Sequence, residues 1–476
     1  MTGMPRVSSA VAEVLPAIEE AFAAQQQTAI VLRTSTAQER IAKLRTLEAA
    51  VLANRGAIYR ALAADLRKSE AEADLFDILP VIAGIRHACR NLNSWMKPQR
   101  VPPTILMIGT KARIIHEPRG SSLIIAPWNY PVSLLLGPLT SAIAAGCPAI
   151  LKPSEISEAC SAVLMKLIRE VFDRREIAIF EGDVSVSKAL LELPFDHIFF
   201  TGSPEVGKTV MTAAAKHLAS VTLELGGKSP AIVDDSADIE KAAVSIAWGK
   251  FSNCGQTCIA PDHAYVHESR LNEFLDALKS AVKRMYGDPE QSPDYGRIIN
   301  LRHWERISNL IDDARARGAA IIGGERDEAQ KFIAPTLLTR VGAGARVMQE
   351  EIFGPVLPVV AYGDFSEPIA AINARPKPLA LYVYAKDQAR ANRIIRETSS
   401  GGSCINASVM HFVHHNLPFG GVGNSGFGKA HGFYGFRAFS HERAVLENRF
   451  SILPAFFAPY TNRVKRMIKV LIQYFT

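Results

Sequence analysis

From Ser121 to Leu151 the chain runs 31 residues without a charged side chain, and no other feature constrains the fold as much. The stretch is long enough to span a bilayer, for which about 20 apolar residues suffice. It is also punctuated by Pro127, Asn129, Pro131, Gly137, Pro138, Gly146 and Pro148. Proline removes a backbone donor and fixes φ, and glycine loosens the backbone, so one uninterrupted membrane helix does not fit. A strand, a turn, a helix and a second strand fit better. Elements that apolar must be covered on both sides, as in a parallel sheet between helical layers.

The flanking sequence agrees. Residues 9–100 read as helices; within 36–66, Ile41, Leu44, Leu47, Val51 and Leu52 recur at helical spacing. A short extended segment follows at 105–118. Apolar runs then alternate with helical stretches: 123–126, 149–151, 177–180, 197–201 and 221–225. A second alternating region, 231–405, holds runs at 231–233, 264–266, 357–360, 381–384 and 402–406. Residues 407–445 read as loop followed by an extended segment. Strand–helix alternation on this scale predicts an α/β protein of two interlocked domains.

Composition excludes several classes. Hydrophobic residues make up 48% and charged residues 21%, a globular balance that rules out wholesale disorder. A net charge of +7 over 476 residues gives no basis for expecting nucleic-acid binding. The six cysteines are scattered, without a CxxC pair or a Cys/His cluster, so no metal is expected and a reducing cytoplasm fits. Glu13, Glu19 and Glu20 interrupt any secretory signal near the N-terminus. At the other end, Val464, Ile468, Leu471 and Phe475 share a helical face, with Lys465, Arg466 and Lys469 elsewhere. Such a helix either docks on the protein or lies on a membrane.

Five segments carry candidate chemistry, each with a plainer alternative. In Asn253-Cys254-Gly255-Gln256-Thr257-Cys258 a cysteine near a turn is a nucleophile or a structural thiol. Glu224, between an apolar run and two glycines, is a general base or a solvated turn residue. Asn129, in Pro127-Trp128-Asn129-Tyr130-Pro131, is an oxyanion donor or ordinary turn chemistry. Lys152-Pro153-Ser154-Glu155 ends a strand at the range where a ribose is held in dinucleotide sites, or is a solvated charged turn. Gly202-Ser203-Pro204-Glu205-Val206-Gly207 offers a helix N-terminus to phosphate, although it is not GxGxxG.

Taken together, PWNYP, LKPSE, FTGSPEVGK, LELGGKSP, NCGQTC, EEIFGP and PFGGVGNSG, in this order, resemble the NAD(P)-dependent aldehyde dehydrogenase superfamily along most of the chain. Tyr295-Gly296-Arg297-Ile298-Ile299-Asn300, Cys258-Ile259-Ala260-Pro261-Asp262 and Phe439-Ser440-His441 are similar to its class 3 branch, which includes fatty aldehyde and coniferyl aldehyde enzymes. The stretch from Asp77-Ile78-Leu79-Pro80-Val81 to Trp95-Met96-Lys97-Pro98 looks closest to the coniferyl type.

The resemblance implies a Rossmann-like dinucleotide-binding domain at 1–224, with 105–118 contributing to oligomerisation. It implies a catalytic α/β domain at 225–410, and at 411–476 a returning segment with an oligomerisation strand and the C-terminal helix. Cys258 matches the nucleophile, Glu224 the general base and Asn129 the oxyanion donor. Trp128, Lys152, Ser154, Glu155, Gly202, Ser203, Gly207, Leu225, Glu351 and Phe353 match the cofactor set. The implied reaction oxidises an apolar or aromatic aldehyde to the acid through a thiohemiacetal and a thioester. NAD is the expected cofactor, because Glu155 would repel a 2′-phosphate, with NADP as a minor or dual use. A homodimer is implied as well, with strand pairing between subunits through 105–118 and 433–443.

Two other readings stand beside this one: a thiol esterase on the same site, and a non-enzymatic binding or structural protein on the same fold. Cys254 is either idle or a partner in a regulatory disulfide. Cys404 reads as packing. His411, His414 and His415 read as turn or substrate-mouth residues.

Overall fold

The computed structural model describes residues 9–104, 107–451 and 453–475. Residues 1–8, Ile105 and Leu106 of the expected extended segment, Ile452 and Thr476 lie outside the described residues.

The uncharged stretch folds as the strand Ser122–Ile125, a turn, the helix Ser133–Ala145 and the strand Ala149–Lys152. Gly146 ends the helix at φ +85°, where its N–H reaches the carbonyls of Ala142 and Ile143. The Arg40 guanidinium donates to the carbonyls of Ala144 and Ala145 at 3.1 and 2.7 Å, satisfying the helix end. Any side chain at Gly146 would strike that guanidinium. Leu135, Leu136 and Leu139 are fully buried, each worth about 1.5–3 kcal/mol of apolar burial. Among the described residues, no helix is long and apolar enough to cross a membrane.

Ser122–Ile125 and Ala149–Lys152 belong to a six-stranded sheet. Its order is Gly426–Phe427, Ser220–Leu225, His197–Gly202, Ser122–Ile125, Ala149–Lys152, Ile177–Ile179. All neighbours are parallel except Gly426–Phe427, which runs antiparallel to Ser220–Leu225. The chain winds first to one side of Ser122–Ile125 and then to the other, so strand order reverses between Ser122–Ile125 and His197–Gly202. Open α/β sheets bind ligands at that reversal, beyond the carboxyl ends of the strands.

A seven-stranded sheet forms the second layer, ordered Ala320–Ile322, Thr336–Thr339, Val356–Tyr362, His263–His267, Pro230–Val233, Ala380–Tyr384, Gly402–Ile405. It is parallel except where Ala320–Ile322 meets Thr336–Thr339. Those two strands are short and escape the alternation pattern.

The third sheet corrects an expectation. Residues 433–443 are not one extended segment: Gly432–Ala438 is a helix and only Ser440–Asn448 is a strand. Phe433 and Phe436, three apart, pack on Trp95 with ring centroids at 5.9 and 5.6 Å, and that shared face favours a helical turn. Ser440–Asn448 pairs within its own chain, antiparallel to Thr110–Pro118, and Gln99–Val101 flanks the latter.

The C-terminal helix Asn462–Phe475 packs against the turn Leu453–Phe456. Val464 is buried and Ile468 and Leu471 are half-buried, while Arg463, Lys465, Arg466 and Lys469 are exposed.

Candidate active site

A cavity of about 590 Å³ opens beyond the carboxyl ends of the six-stranded sheet and is closed by loops of the seven-stranded one. Asn129, Glu224 and Cys258 all reach its lining, together with Trp128, Gly202, Ser203, Glu351 and Phe353. Residues far apart in sequence meet there because three parallel strands end side by side and the Cys258 loop folds over them.

The Cys258 loop is built from unusual backbone. Asn253, Cys254 and Gly255 have φ of 49°, 51° and 72°, three consecutive left-handed residues. Such a conformation costs a non-glycine residue about 1–3 kcal/mol and persists only where its surroundings enforce it. A side chain at Gly255 would collide with the Gly354 carbonyl, so only glycine fits. Hydrogen bonds fix the rest. The Glu72 carboxylate accepts from Asn253 N at 2.5 Å. Gln256 Nε2 donates to the carbonyls of Asn253 and Arg297, both at 3.0 Å, and its Oε1 accepts from Ile299 N at 3.0 Å.

Asn129 is tied to the same loop. It is 3% exposed, and its Nδ2 donates to the Gln256 carbonyl at 3.0 Å. An amide nitrogen carries two hydrogens, so a second donor remains for a ligand in the cavity. The Asn129 carbonyl accepts from Asn253 Nδ2 at 2.8 Å and from Lys68 Nζ at 3.0 Å. Tyr130 Oη and Thr257 Oγ1, each next to a site residue, are hydrogen-bonded at 2.6 Å.

Three acids share the cavity, and the two carboxylates oppose ionisation of the thiol. Burial pushes the Cys258 thiol up to about 12, and the carboxylates of Glu351 and Glu224 push the same way. Burial lifts Glu224 well above the usual carboxylate range, with Lys429 opposing. Among the described residues, neither Glu224 carboxylate oxygen has a hydrogen-bond partner. Leaving a carboxyl so unserved is costly in a packed interior, and active sites are where such groups occur. Burial, then the Asp262 carboxylate, raises Glu351 to about 7.

The cofactor candidates divide into two groups. Ser203 caps the helix Pro204–His217, its Oγ accepting from Val206 N at 3.4 Å, and the helix N-terminus faces the cavity. Trp128 and Phe353 stand edge to face at 5.4 Å, and His303 lies 5.0 Å from Trp128. Phe353 has φ 46°; Arg306 donates to the carbonyls of Glu351 and Ile352 at 3.2 and 2.6 Å, and Asp262 accepts from Ile352 N at 2.9 Å. A side chain at Gly226 would collide with the Glu351 carboxylate, so the chain is bare where the two loops meet.

Lys152, Ser154, Glu155, Gly207 and Leu225 lie outside the lining. Lys152 is buried and donates to Glu155 at 3.1 Å across the next strand end, while Glu155 is exposed. Ser154 Oγ accepts from Ile156 N at 3.2 Å. Gly207 lets the helix pack on Leu225, whose Cδ2 a Cβ would meet at 2.7 Å.

Sequence reading missed Lys68, Glu72, His303, Arg306 and Lys429. Lys68, Glu72, His303 and Arg306 sit in charged or polar stretches that read as solvated surface, and Lys429 in a glycine-rich loop, so no local signal singles any of them out. Cys254 is buried, with a thiol raised by burial, and all six cysteines are unpaired. Cys404 Sγ lies 3.2 Å from His411 Nδ1. Among the described residues, no group of His, Cys, Asp and Glu is arranged to hold a metal ion.

The family pattern described as "Aldehyde dehydrogenase family" matches residues 5–445. The chain is 45% identical over 405 residues to the 4,4'-diaponeurosporen-aldehyde dehydrogenase of Staphylococcus aureus, covering 85% of this chain and 88% of that one. It is 46% identical over 415 residues to human aldehyde dehydrogenase family 3 member B1, covering 87% and 88%. A solved structure titled "Substrate bound state of Staphylococcus Aureus AldH" superposes with a TM-score of 0.91 at 41% identity, covering 96% of this chain and 99% of that chain.

Proposed function

This chain belongs to the aldehyde dehydrogenase family, and we propose that it oxidises an apolar or aromatic aldehyde to the carboxylic acid with Cys258 as nucleophile. The observation that carries this reading is the meeting of Cys258, Asn129 and an unpartnered, buried Glu224 on one cavity.

The reaction follows from what each group can do. The Cys258 thiol loses its proton to solvent water in the cavity, where Glu224 and Glu351 are the foremost ionisable neighbours whose charges it feels. Its sulfur adds to the aldehyde carbon. The oxygen that gains charge lies between the free Asn129 amide hydrogen and the Cys258 backbone N–H, and losing one such donor typically costs about 2.7–4 kcal/mol in barrier. The nicotinamide dinucleotide, when bound, supplies the two-electron oxidant for that carbon. A thioester on Cys258 remains. Glu224, once ionised, takes a proton from water as the water attacks the thioester; the C–S bond breaks, releasing the acid and the Cys258 thiolate, and the raised proton affinity of Glu224 makes it an effective base.

The residues present suit a dinucleotide. The capped helix N-terminus at Ser203, with Gly202 before it, offers backbone donors to a diphosphate. Trp128, Phe353 and Glu351 flank the nicotinamide end, with Leu225 and Gly207 shaping the floor. Lys152, Ser154 and Glu155 serve the adenosine ribose. The exposed Glu155 carboxylate favours a 2′-OH over a 2′-phosphate, so NAD is the preferred form and NADP a minor one.

In this reading residues 1–224 hold the cofactor, 225–410 carry the nucleophile and 411–476 return to complete the site. Support for the apolar substrate comes from the staphylococcal relative, which is named a 4,4'-diaponeurosporen-aldehyde dehydrogenase; the aromatic Tyr130 and Phe412 lie outside the cavity lining. The exposed strand Ser440–Asn448 has a free edge among the described residues, suited to pairing in a homodimer. The basic C-terminal helix, with exposed Val470, Ile472 and Tyr474, suits a peripheral contact with anionic lipid. Unpaired cysteines fit a reducing, cytoplasmic setting.

The test is reduction of NAD and NADP by wild type and by Cys258→Ala, with hexanal, decanal, benzaldehyde and coniferaldehyde. Wild-type activity that the substitution abolishes is expected. Activity that survives in Cys258→Ala overturns the thiol mechanism, and acetaldehyde oxidised as well as the apolar panel overturns the substrate class.

A further inference from the structure

Resting on the aldehyde-oxidising reading above, we propose that Lys68 is a positioning residue for the oxyanion, gripping the Asn129 turn from beneath through an ammonium clamped between Asp77 and the Asn129 carbonyl.

Lys68 is 3% exposed and Asp77 is fully buried, and their side chains meet at 2.9 Å away from solvent. Burying two charges costs several kcal/mol per ion, and a well-packed apolar pair is often as stable or more so. Stability alone therefore gives little reason for this pair. Its partners point to another role. Lys68 Nζ donates to the Asn129 carbonyl at 3.0 Å. The other Asp77 oxygen accepts from Val132 N at 3.3 Å and Ser133 N at 3.5 Å. The pair thus holds the turn at Asn129 itself and at Val132–Ser133, the residues that follow it.

Two further contacts extend the grip to the nucleophile. The ammonium lies 4.0 Å from the Tyr130 ring centroid, a cation–π contact, and Tyr130 Oη is bonded to Thr257, the residue before Cys258. Lys68 also shares the Asn129 carbonyl with Asn253 Nδ2, at the start of the Cys258 loop. Two donors on one carbonyl fix the peptide plane, and with it the direction in which the Asn129 amide projects into the cavity. The helical turn Glu70–Ala73 that follows Lys68 supplies Glu72 to Asn253 N, so one short segment braces both loops.

The role separates from plain structural support by chemistry. Oxidation of an aldehyde and hydrolysis of an activated ester both place charge on an oxygen and need Asn129. Alkylation of Cys258 by iodoacetamide displaces iodide and forms no oxyanion. The variant Lys68→Met/Asp77→Asn removes both charges of the pair together and keeps an acceptor for Val132 and Ser133. Its kcat with the best aldehyde of the panel, and its rate on p-nitrophenyl acetate, are each expected to fall about 100-fold, the usual effect of a misplaced catalytic group. KM, dinucleotide binding and the Cys258 alkylation rate are expected to change by less than about 2-fold, because none of them depends on the oxyanion.

A folded variant that keeps its kcat overturns the proposal, as does alkylation falling in step with kcat. Should the double variant not fold, Asp77→Asn alone is judged by the same pattern. Wild type that oxidises no aldehyde refutes the proposed function instead, so the two failures are distinct.

Discussion

Replacing Glu351 with Gln removes one ionisable group from the cavity and makes stability less dependent on pH. Burial and the Asp262 carboxylate raise Glu351 from an ordinary 4.5 to about 7 in the folded protein. Between those values the folded state holds a proton that the unfolded state releases. The stabilisation is complete below pH 4.5 and is lost progressively as pH rises through 7. At about 1.36 kcal/mol per unit, roughly 3 kcal/mol of stability is lost over that window. Asp262 is held below the usual carboxylate range by Lys228 and so stays charged throughout, which keeps the sign fixed. Gln cannot ionise, and its oxygen still accepts from Gly227 N–H. The unfolding free energy of Glu351→Gln should therefore match wild type near pH 4.5 and exceed it by up to about 3 kcal/mol above pH 7, as read from urea melts across that range. Glu351 is also the foremost charge holding the Cys258 thiol up, so the pH profile of Cys258 alkylation should move to lower pH in the variant. A stability difference that does not vary with pH, or an alkylation profile that stays in place, would refute this account of the cavity.

Three further outcomes are expected. Glu224→Gln should keep the first-turnover burst of reduced dinucleotide while steady-state turnover falls about 10²–10⁴-fold, because only thioester hydrolysis loses its base; absence of the burst would place Glu224 in the first half-reaction. Gly255→Ala should destabilise the protein by more than about 1 kcal/mol in thermal melts, because φ is +72° and the new Cβ meets the Gly354 carbonyl. Glu155→Gln should raise the kcat/KM for NADP relative to NAD, since it removes the charge that repels a 2′-phosphate; an unchanged ratio would take Glu155 out of cofactor choice.

The strands were readable wherever an apolar run was bounded by turn residues. The runs at 123–126, 149–151 and 197–201 fall within one residue of the observed strands. Ala320–Ile322 was not, because it lies half-buried at the sheet edge, and Thr336–Thr339 was not, because only two apolar residues stand between its threonines. Gly432–Ala438 misled for another reason. Its glycines argue against a helix by propensity, and the packing of Phe433 and Phe436 on Trp95 outweighs them. Pairing between Thr110–Pro118 and Ser440–Asn448 spans more than 300 residues, and nothing local encodes it.

The site divides along a similar line. Asn129, Glu224 and Cys258 each stand in a short motif at the end of a strand or in a glycine turn, where backbone chemistry leaves a mark in the sequence. What holds them does not. Lys68, Glu72 and Asp77 lie within a run of alternating charges and alanines that reads as a solvated helix face. Only the fold turns that face inward, where Lys68 meets Asp77 and the Asn129 carbonyl, and Glu72 meets Asn253 N. A charged residue reveals its burial through its partners, and these partners are up to 181 positions away. The left-handed run Asn253-Cys254-Gly255 makes the dependence concrete. Its strain is local, but the groups that hold it are distant: Glu72 through Asn253 N, and Gln256 through Arg297 and Ile299. The candidate reacting groups are therefore legible before the fold is known, and the groups that hold them become legible only in three dimensions.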